Sequence, residues 1–487
     1  MPSETASCLD LWAIYPELVL AGLGLLLVPV AAFTHGRGRW RYLPGGLAFT
    51  GIVAALGLTA RMLDWESQTV FCNTYALDGF AHVFKLLLLS GAGIALLAIL
   101  AQFRGHNQLA HAPMALLFAT LGGMGLSSAL DLGLIVLFLQ MLSLPSYVLV
   151  TLVRTDRASN EAVLKYFIYA AAALAVMAYG LTFLYGMTGS LELGSIGAAL
   201  AGDGDRVWIV LALGLILIGY AFEMTLVPFH FWAPDVYSGA PAAVSGFVSV
   251  VPKIAGFAGF LRFVLYALPD GTGGWPMLVT LLAALTMTAG NLVALRQTHL
   301  KRLLAYSSIA QAGYILIPVA VAHEVAGAMS AVGYYLAAYL LMNLAAFSVA
   351  SLWERTQGTD RLASLAGMGF RQPLPALVLA LALLSLAGIP PLAGFAGKVF
   401  LLEVGLEGDL TWLVLLAAAN MVLALYYYVG VIAKLYLERP APNEEPAKAG
   451  SGVLYVATFG ISTLGTLMLG VFPSLGLELT DLLRRLV

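Results

Sequence analysis

Lys253, Lys398 and Glu223 are the side chains in this 487-residue sequence that most demand a chemical explanation. Lys253 stands nearly halfway along an apolar segment, in Val-Val-Pro-Lys253-Ile-Ala-Gly-Phe-Ala. Lys398 follows Gly388-Ile-Pro-Pro-Leu-Ala-Gly-Phe-Ala-Gly deep in another, and Glu223 lies some 16 residues into a segment beginning near Val207. An ionisable side chain at mid-bilayer costs about 2.5–3.5 kcal/mol on insertion scales, so it is normally kept for a purpose. Lysines and carboxylates in such a setting can load and release protons, as a relay needs, and proton or ion translocation is the leading reading. The plainer alternative is a structural ion pair that fixes helix packing. Lys85, after Asp78-Gly-Phe-Ala-His82, is open to two readings, a functional buried charge or a side chain snorkelling to the interface. Glu403, nearer the outer end of its segment, suits a rim. Gln140 is polar and mid-segment but does not titrate.

These residues need apolar elements to hold them. The composition is 61% hydrophobic and only 10% charged, against about 25% charged in an ordinary soluble domain. A soluble enzyme is therefore excluded. Long apolar runs recur along the chain, the signature of a polytopic helical membrane protein, with room for about 14 spans. They fall near residues 16–33, 43–62, 79–102, 112–129, 131–153, 162–187, 207–231, 240–268, 275–296, 300–322, 325–352, 373–405, 410–437 and 451–474. The runs are continuous rather than alternating, which excludes a β-barrel. Residues 1–10 carry Glu4 and Asp10 instead of a basic stretch, so the first run is expected to be a span and not a cleaved signal.

The basic residues set an orientation. With the N-terminus outside, the inner loops and their flanks collect Arg37, Arg39, Arg41, Arg104, Arg154, Arg157, Lys165, Arg296, Lys301, Arg302, Arg355, Arg361, Arg371, Lys434, Arg439 and Lys448, 16 of 24 basic residues. The outer side receives five: Arg61, Arg206, Arg262, Arg484 and Arg485. Both termini are thus expected outside. Cys8 and Cys72 fall on that face, where a disulfide and two free thiols are both open readings.

Two segments cannot be continuous helices: Val227-Pro-Phe-His230-Phe-Trp-Ala-Pro-Asp-Val-Tyr-Ser-Gly-Ala-Pro241 and Ala387-Gly-Ile-Pro-Pro-Leu-Ala-Gly-Phe395. Prolines remove backbone donors, and such backbone is tolerated at membrane depth only against protein or a hydrated cavity. Each break falls in the fourth span of a five-span group, 112–268 and 275–437. Matching breaks in two halves point to a transporter repeat with its ion path near the midplane. An odd span count per repeat makes the halves inverted.

With these residues in view, the sequence resembles the antiporter-like membrane subunits of the proton-pumping NADH–quinone oxidoreductase, respiratory complex I, in their subunit N branch. The matching strings include Gln140-Met-Leu-Ser-Leu-Pro-Ser-Tyr147, Asn160-Glu-Ala-Val-Leu-Lys165-Tyr-Phe and the Val227–Pro241 segment. Leu304-Ala-Tyr306-Ser-Ser-Ile-Ala-Gln311, Tyr339-Leu-Leu-Met-Asn343, Gly388 through Lys398 and Leu425-Tyr-Tyr-Tyr428 follow in the family's order. The resemblance implies an all-α polytopic fold with about 14 helices and two inverted five-helix repeats, each with a broken helix. The expected organisation is a three-helix segment over 1–105, a first repeat over 106–270, a second over 271–440 and a C-terminal helix over 441–487.

The resemblance also implies a role. Partner subunits would hold NADH, FMN, iron–sulfur clusters and quinone, with no cofactor or metal in this chain. This chain would move protons across a bacterial inner membrane, beside a neighbouring antiporter-like subunit and within the lipid bilayer. Lys253 matches the family's central lysine and Lys398 the lysine of the second break. Gln140 stands where the family has a glutamate, Glu223 where it has a lysine, and Gln311 where a histidine is common. Glu223, Lys253 and Lys398 are the expected proton path, with Gln140, Lys165, His230, Gln311 and Glu403 as candidates for path or gate. Because the usual pair is rewritten, Glu223 is expected to interact with Lys253; the alternative is a non-pumping structural copy. A related cation/proton antiporter or hydrogenase-type complex, and a stand-alone solute transporter, complete the competing readings.

Overall fold

The computed structural model describes residues 11–151, 157–201, 206–268, 274–439 and 452–486. Cys8 and the loop residues Arg154 and Lys448 lie outside them. Apart from short 3-10 turns and one two-stranded hairpin, the described chain is α-helical. In order the helices are α1 (Tyr15–Thr34), α2 (Leu43–Arg61), α3 (Gly79–Gln102), α4 (Ala112–Ser128), α5 (Leu132–Thr151) and α6 (Arg157–Thr188). Next come α7 (Leu193–Leu200), α8 (Arg206–Glu223) and α9 (Trp232–Gly239), with the first break between α8 and α9, followed by α10 (Ala242–Ala267). Then come α11 (Trp275–Ala294), α12 (Leu300–Ala320), α13 (Ala328–Gln357) and the one-turn α14 (Met368–Arg371). The chain ends with α15 (Pro373–Ala387), α16 (Ala393–Glu407), α17 (Thr411–Tyr436), α18 (Val453–Val471) and α19 (Pro473–Thr480).

Among the described residues, 11 helical segments are long and apolar enough to cross a membrane, and they fall on 11 of the expected spans. The expected spans 112–129, 207–231 and 373–405 contain the shorter apolar helices Ala112–Ser128, Val207–Glu223 and Pro373–Ala387. The latter two are short because the chain breaks at Glu223 and Ala387, as the prolines foretell.

Apolar composition does not distinguish inner from outer helices, since lipid tails are as apolar as leucine. Packing does. The most apolar stretches of α10 and α12 are 94% buried, against 33% for α6 and α17. The interior is therefore built from α3, α10, α12 and α13, while α1, α6, α17 and α18 present aliphatic and aromatic faces outward. Close approach depends on small residues: a Cβ on Gly290 would lie 2.6 Å from the Ala310 nitrogen, and one on Gly313 2.5 Å from the Met287 nitrogen. These two glycines let α11 and α12 pack backbone to backbone.

One element is absent from the apolar pattern. β1 (Gln68–Val70) and β2 (Tyr75–Leu77) pair antiparallel, Gln68 opposite Leu77. The turn places Phe71, Cys72 and Asn73 successively at positive φ. The strands are too short to register as a period-two signal. The hairpin brings Tyr75 over the start of α1, where its hydroxyl donates to Glu17.

Candidate proton path

The two breaks deliver the charged side chains. At the first, α8 ends on Glu223, and Thr225 takes a positive φ of 61°. Freed backbone groups find partners: Trp232 Nε1 donates to the Phe222 carbonyl at 3.2 Å, and the Val227 amide to Thr286 Oγ1 at 3.1 Å. At the second, Gly388 ends α15 in the left-handed region, φ 91°. The last carbonyls of that half-helix then point at Lys398 Nζ, which donates to Leu386 at 2.7 Å and to Ala387 at 3.1 Å. A cation at a helix C-terminus meets the negative end of the macrodipole. The ring of Tyr314 lies 5.2 Å from the same ammonium.

Lys253, on α10, reaches α12. Its ammonium donates to the Ser308 carbonyl at 2.6 Å and to the Ser308 hydroxyl, and it faces the Tyr339 ring at 5.5 Å. Tyr339 also donates to Ser308 Oγ at 2.7 Å. The adjacent Ser307 hydroxyl meets the Tyr428 hydroxyl. Gln311, one turn on, donates to Tyr428 at 3.3 Å and to the Leu386 carbonyl at 3.2 Å, while Tyr335 donates to its amide oxygen. Leu386 is the carbonyl Lys398 also holds. A buried polar line therefore runs from Lys253 through Ser308, Ser307, Tyr428 and Gln311 to Lys398, with backbone at two points: the peptide between the two serines, and the Leu386 carbonyl that accepts from both Gln311 and Lys398.

Glu223 joins differently. The Ser143 hydroxyl donates to its Oε1 at 2.6 Å, and its buried Oε2 has no hydrogen-bond partner. Gln140, Ser143 and Glu223 line a cavity of about 10 Å³, the space of a single water. The expected direct contact between Glu223 and Lys253 is not made. The backbone explains why: Glu223 packs over Gly256, where an added Cβ would lie 3.1 Å from the Glu223 Cβ. That position is nearly one helical turn beyond Lys253 on α10.

The remaining sequence-selected residues lie apart. Lys165 is 39% exposed and pairs with Asp235 at 2.7 Å and Glu161 at 2.9 Å. Asp235 also meets Arg302 at 3.1 Å, making a surface network beside the first break. His230 is half-buried with its ring against Phe231 at 4.5 Å. Glu403 is exposed, on a 280 Å³ recess shared with Glu407, Asp481 and Arg484.

Sequence reasoning missed three buried ionic contacts. Lys85 does not snorkel: it is 1% exposed and lies 2.7 Å from Glu17. Arg262, placed only as an outer flank residue, is fully buried and held in a fork by Asp78. Lys301, counted with the inner loops, is buried against Glu354 at 2.9 Å. Asp78, preceding the apolar run that Gly79 opens, carried an N-cap signal, and its side chain accepts from the Ala81 amide at 2.8 Å. The partners come from distant segments and left no local trace.

The geometry can be set beside known proteins. Residues 129–424 match the family model described as NADH:quinone oxidoreductase/Mrp antiporter, TM. NADH-quinone oxidoreductase subunit N of Trichlorobacter lovleyi is 35% identical, over 96% of this chain and 96% of that protein. NAD(P)H-quinone oxidoreductase subunit 2 of Synechococcus elongatus is 39% identical, over 93% of this chain and 89% of its own. Among solved structures, a chain of respiratory complex I from Thermus thermophilus with bound aureothin superposes with TM-score 0.81 at 33% identity, covering 95% of this chain and 98% of that one. A chain of the Mrp complex from Dietzia sp. shares the fold, with TM-score 0.85 at 21% identity over 98% of this chain and 97% of that one. On this evidence the chain belongs to the NADH:quinone oxidoreductase/Mrp antiporter family of multi-pass membrane subunits, in the branch of NADH-quinone oxidoreductase subunit N.

Proposed function

We propose that this chain moves protons along the buried line from Lys253 to Lys398 while partner subunits of an NADH–quinone oxidoreductase carry the electrons. The observation that supports it is the chain of hydroxyl, amide and carbonyl contacts joining the two lysines across α10, α12, α17 and the broken end of α15. Glu223 is the entry-side carboxylate, reaching Lys253 along α10 rather than through direct contact. NADH, FMN, iron–sulfur clusters and quinone belong to the partners, and a neighbouring antiporter-like subunit flanks this one in a bacterial inner membrane with both termini outside. The working units are residues 1–105, 106–270, 271–440 and 441–487.

Lys253→Met and Lys398→Met in the assembled complex test the line. Each is expected to lower the protons moved per electron pair; an unchanged ratio in both overturns the reading. A second reading, a non-pumping structural copy, is favoured by one observation: Glu223 is bonded to Ser143 and not to a lysine. Glu223→Gln separates the two, because a structural copy keeps its stoichiometry in that variant.

A further inference from the structure

A recess of 650 Å³ opens between α11, α12 and α17. Along α17 its wall carries Val422, Tyr426, Gly430 and Lys434, spaced by four residues and so stacked on one helix face. Lys434 lies in the last turn of α17, and Gln297, just past the end of α11, lines the same recess. The floor is already fixed by polar contacts behind it. Tyr427 donates to Asn291 Oδ1 at 3.0 Å, and Asn291 donates to the Tyr314 hydroxyl at 3.0 Å.

The recess has the reach of a lipid chain. Val422 and Lys434 are 12 positions apart, about 18 Å along the helix axis, against about 30 Å for a whole hydrocarbon core. It therefore runs from head-group level, where α17 ends, to near the midplane. Its outer side is open, since Val422, Tyr426 and Val429 are exposed. Gly430 leaves a notch in the wall between Tyr426 and Lys434. A Cβ added there would meet no atom within 4 Å, so no neighbouring helix requires a glycine. Glycine inside a helix is less stable than alanine, and a chain lying in the notch gives the missing side chain a use.

The charge is confined to one end. Lys434 is 33% exposed and meets Glu438 at 2.9 Å in an exposed pair, the kind that contributes little and exchanges readily for another anion. Arg296 and Arg361, both exposed, adjoin the lining residues Leu295 and Leu362 in the chain. Against these three basic residues stand Asp360 and Glu438, so the rim is net positive. A positive rim above an apolar slot one leaflet deep complements a molecule with an anionic head and a hydrocarbon tail.

We propose that this recess binds an anionic phospholipid from the leaflet on the basic-loop side. One acyl chain lies along Val422, Tyr426 and Gly430, and a phosphate oxygen meets the Lys434 ammonium. The site goes beyond proton movement and stands whether or not the line from Lys253 to Lys398 pumps.

Two measurements on the assembled complex test it. A cryo-EM map in nanodiscs of phosphatidylglycerol and phosphatidylethanolamine is expected to show chain-shaped density along Val422–Gly430, with a phosphate within about 4 Å of Lys434 Nζ. A recess filled by a partner subunit, or by this chain's own side chains, overturns the proposal. Phosphatidylglycerol carrying a photoreactive diazirine near the end of its acyl chain is expected to label α17 about fivefold more in the unmodified complex than in Lys434→Gln, the equivalent of about 1 kcal/mol for one basic residue at the surface. The same diazirine on phosphatidylcholine should label α17 less than phosphatidylglycerol does. Equal labelling by the two lipids, or no change in Lys434→Gln, overturns the anionic site. Glu438→Gln frees Lys434 from its pair and should keep or raise the labelling; a loss as large as that of Lys434→Gln would remove the phosphate from Lys434.

Discussion

The ammonium of Lys398 lies 2.7 Å from the carbonyl of Leu386, and that same carbonyl accepts the amide of Gln311 at 3.2 Å. One backbone oxygen is thus shared between the lysine and the polar line that leads from Lys253. It is available because α15 stops at Ala387 and the residue four on, Pro390, has no backbone amide to offer it. The proline-rich break therefore supplies part of the path's wiring as well as room for it.

Gly388 makes this contact feasible. Its φ is 91°, and an added Cβ would lie 3.0 Å from Lys398 Cδ. Gly388→Ala combines a left-handed backbone cost of about 1–2 kcal/mol with pressure on the lysine stem. The expected outcome is a lower thermal midpoint of the assembled complex and fewer protons moved per electron pair. Gly430→Ala, at a position with open space around it, is the control and should leave both unchanged.

Ser143 and Glu223 form the charge-assisted contact of the first break at 2.6 Å. Ser143→Ala leaves Glu223 without its one protein hydrogen bond and is expected to cost about 1.5–3 kcal/mol. Proton movement should decline more than in Ser146→Ala, whose hydroxyl bonds only its own helix at Leu142. Equal behaviour of the two variants in a stoichiometry assay would remove Glu223 from the path.

Much of this arrangement was legible from residue types. The apolar runs located the helices, the prolines located both breaks, and the mid-membrane positions of Lys253, Lys398 and Glu223 singled out side chains that prove deeply buried. The partners were not legible. Ser308 lies 55 residues from Lys253, Glu17 68 residues from Lys85 and Arg262 184 from Asp78. Contacts of that kind depend on helix rotation and register, which a membrane interior as apolar as lipid does not write into hydropathy. The expected Glu223–Lys253 contact failed for the same reason, since two residues at neighbouring depths still face according to their turn of the helix.

Asp78 and Arg262 tie the start of α3 to the end of α10 in a fully buried fork. Removing one partner strands a buried charge, at about 3–5 kcal/mol. Asp78→Asn and Arg262→Met are each expected to reduce the amount of complex that assembles. The double variant should recover a substantial part of the loss, because neither charge is then unpaired. A double variant as poor as the sum of the singles would show that the pair is not the unit of stabilisation.

His35 and His111 bring a pH dependence at the membrane edge, their rings 5.7 Å apart at the ends of α1 and α4. Burial holds His111 below the ordinary histidine value, and His35 beside it adds to the shift. The folded state thus resists protonation more than the unfolded chain does. Its contribution is complete above about pH 6.5 and declines as pH falls through that value. Protection of the α3–α4 connection against hydrogen exchange, corrected for the intrinsic pH dependence of exchange, should fall on acidification, and His35→Gln should make that fall smaller.

Lys301 and Glu354 test how far burial decides the worth of an ion pair. Glu354 accepts from Lys301 at 2.9 Å, from Gln102 at 2.9 Å and from the Ala242 amide at 2.8 Å, so it serves α12, α3 and the start of α10 together. Lys301 also holds the Ser238 and Ala240 carbonyls at 2.9 Å, joining the end of α9 to the same knot. Glu354→Ala leaves several donors unfilled at once and is expected to cost about 3–5 kcal/mol. By contrast, Lys434 and Glu438 are 33% and 49% exposed at the same 2.9 Å separation, and Glu438→Ala should cost under about 1 kcal/mol. Thermal unfolding of the two variants in the assembled complex checks the difference. Comparable midpoints would mean that the buried knot is replaceable by water, and that α3, α10, α12 and α13 are held by packing alone.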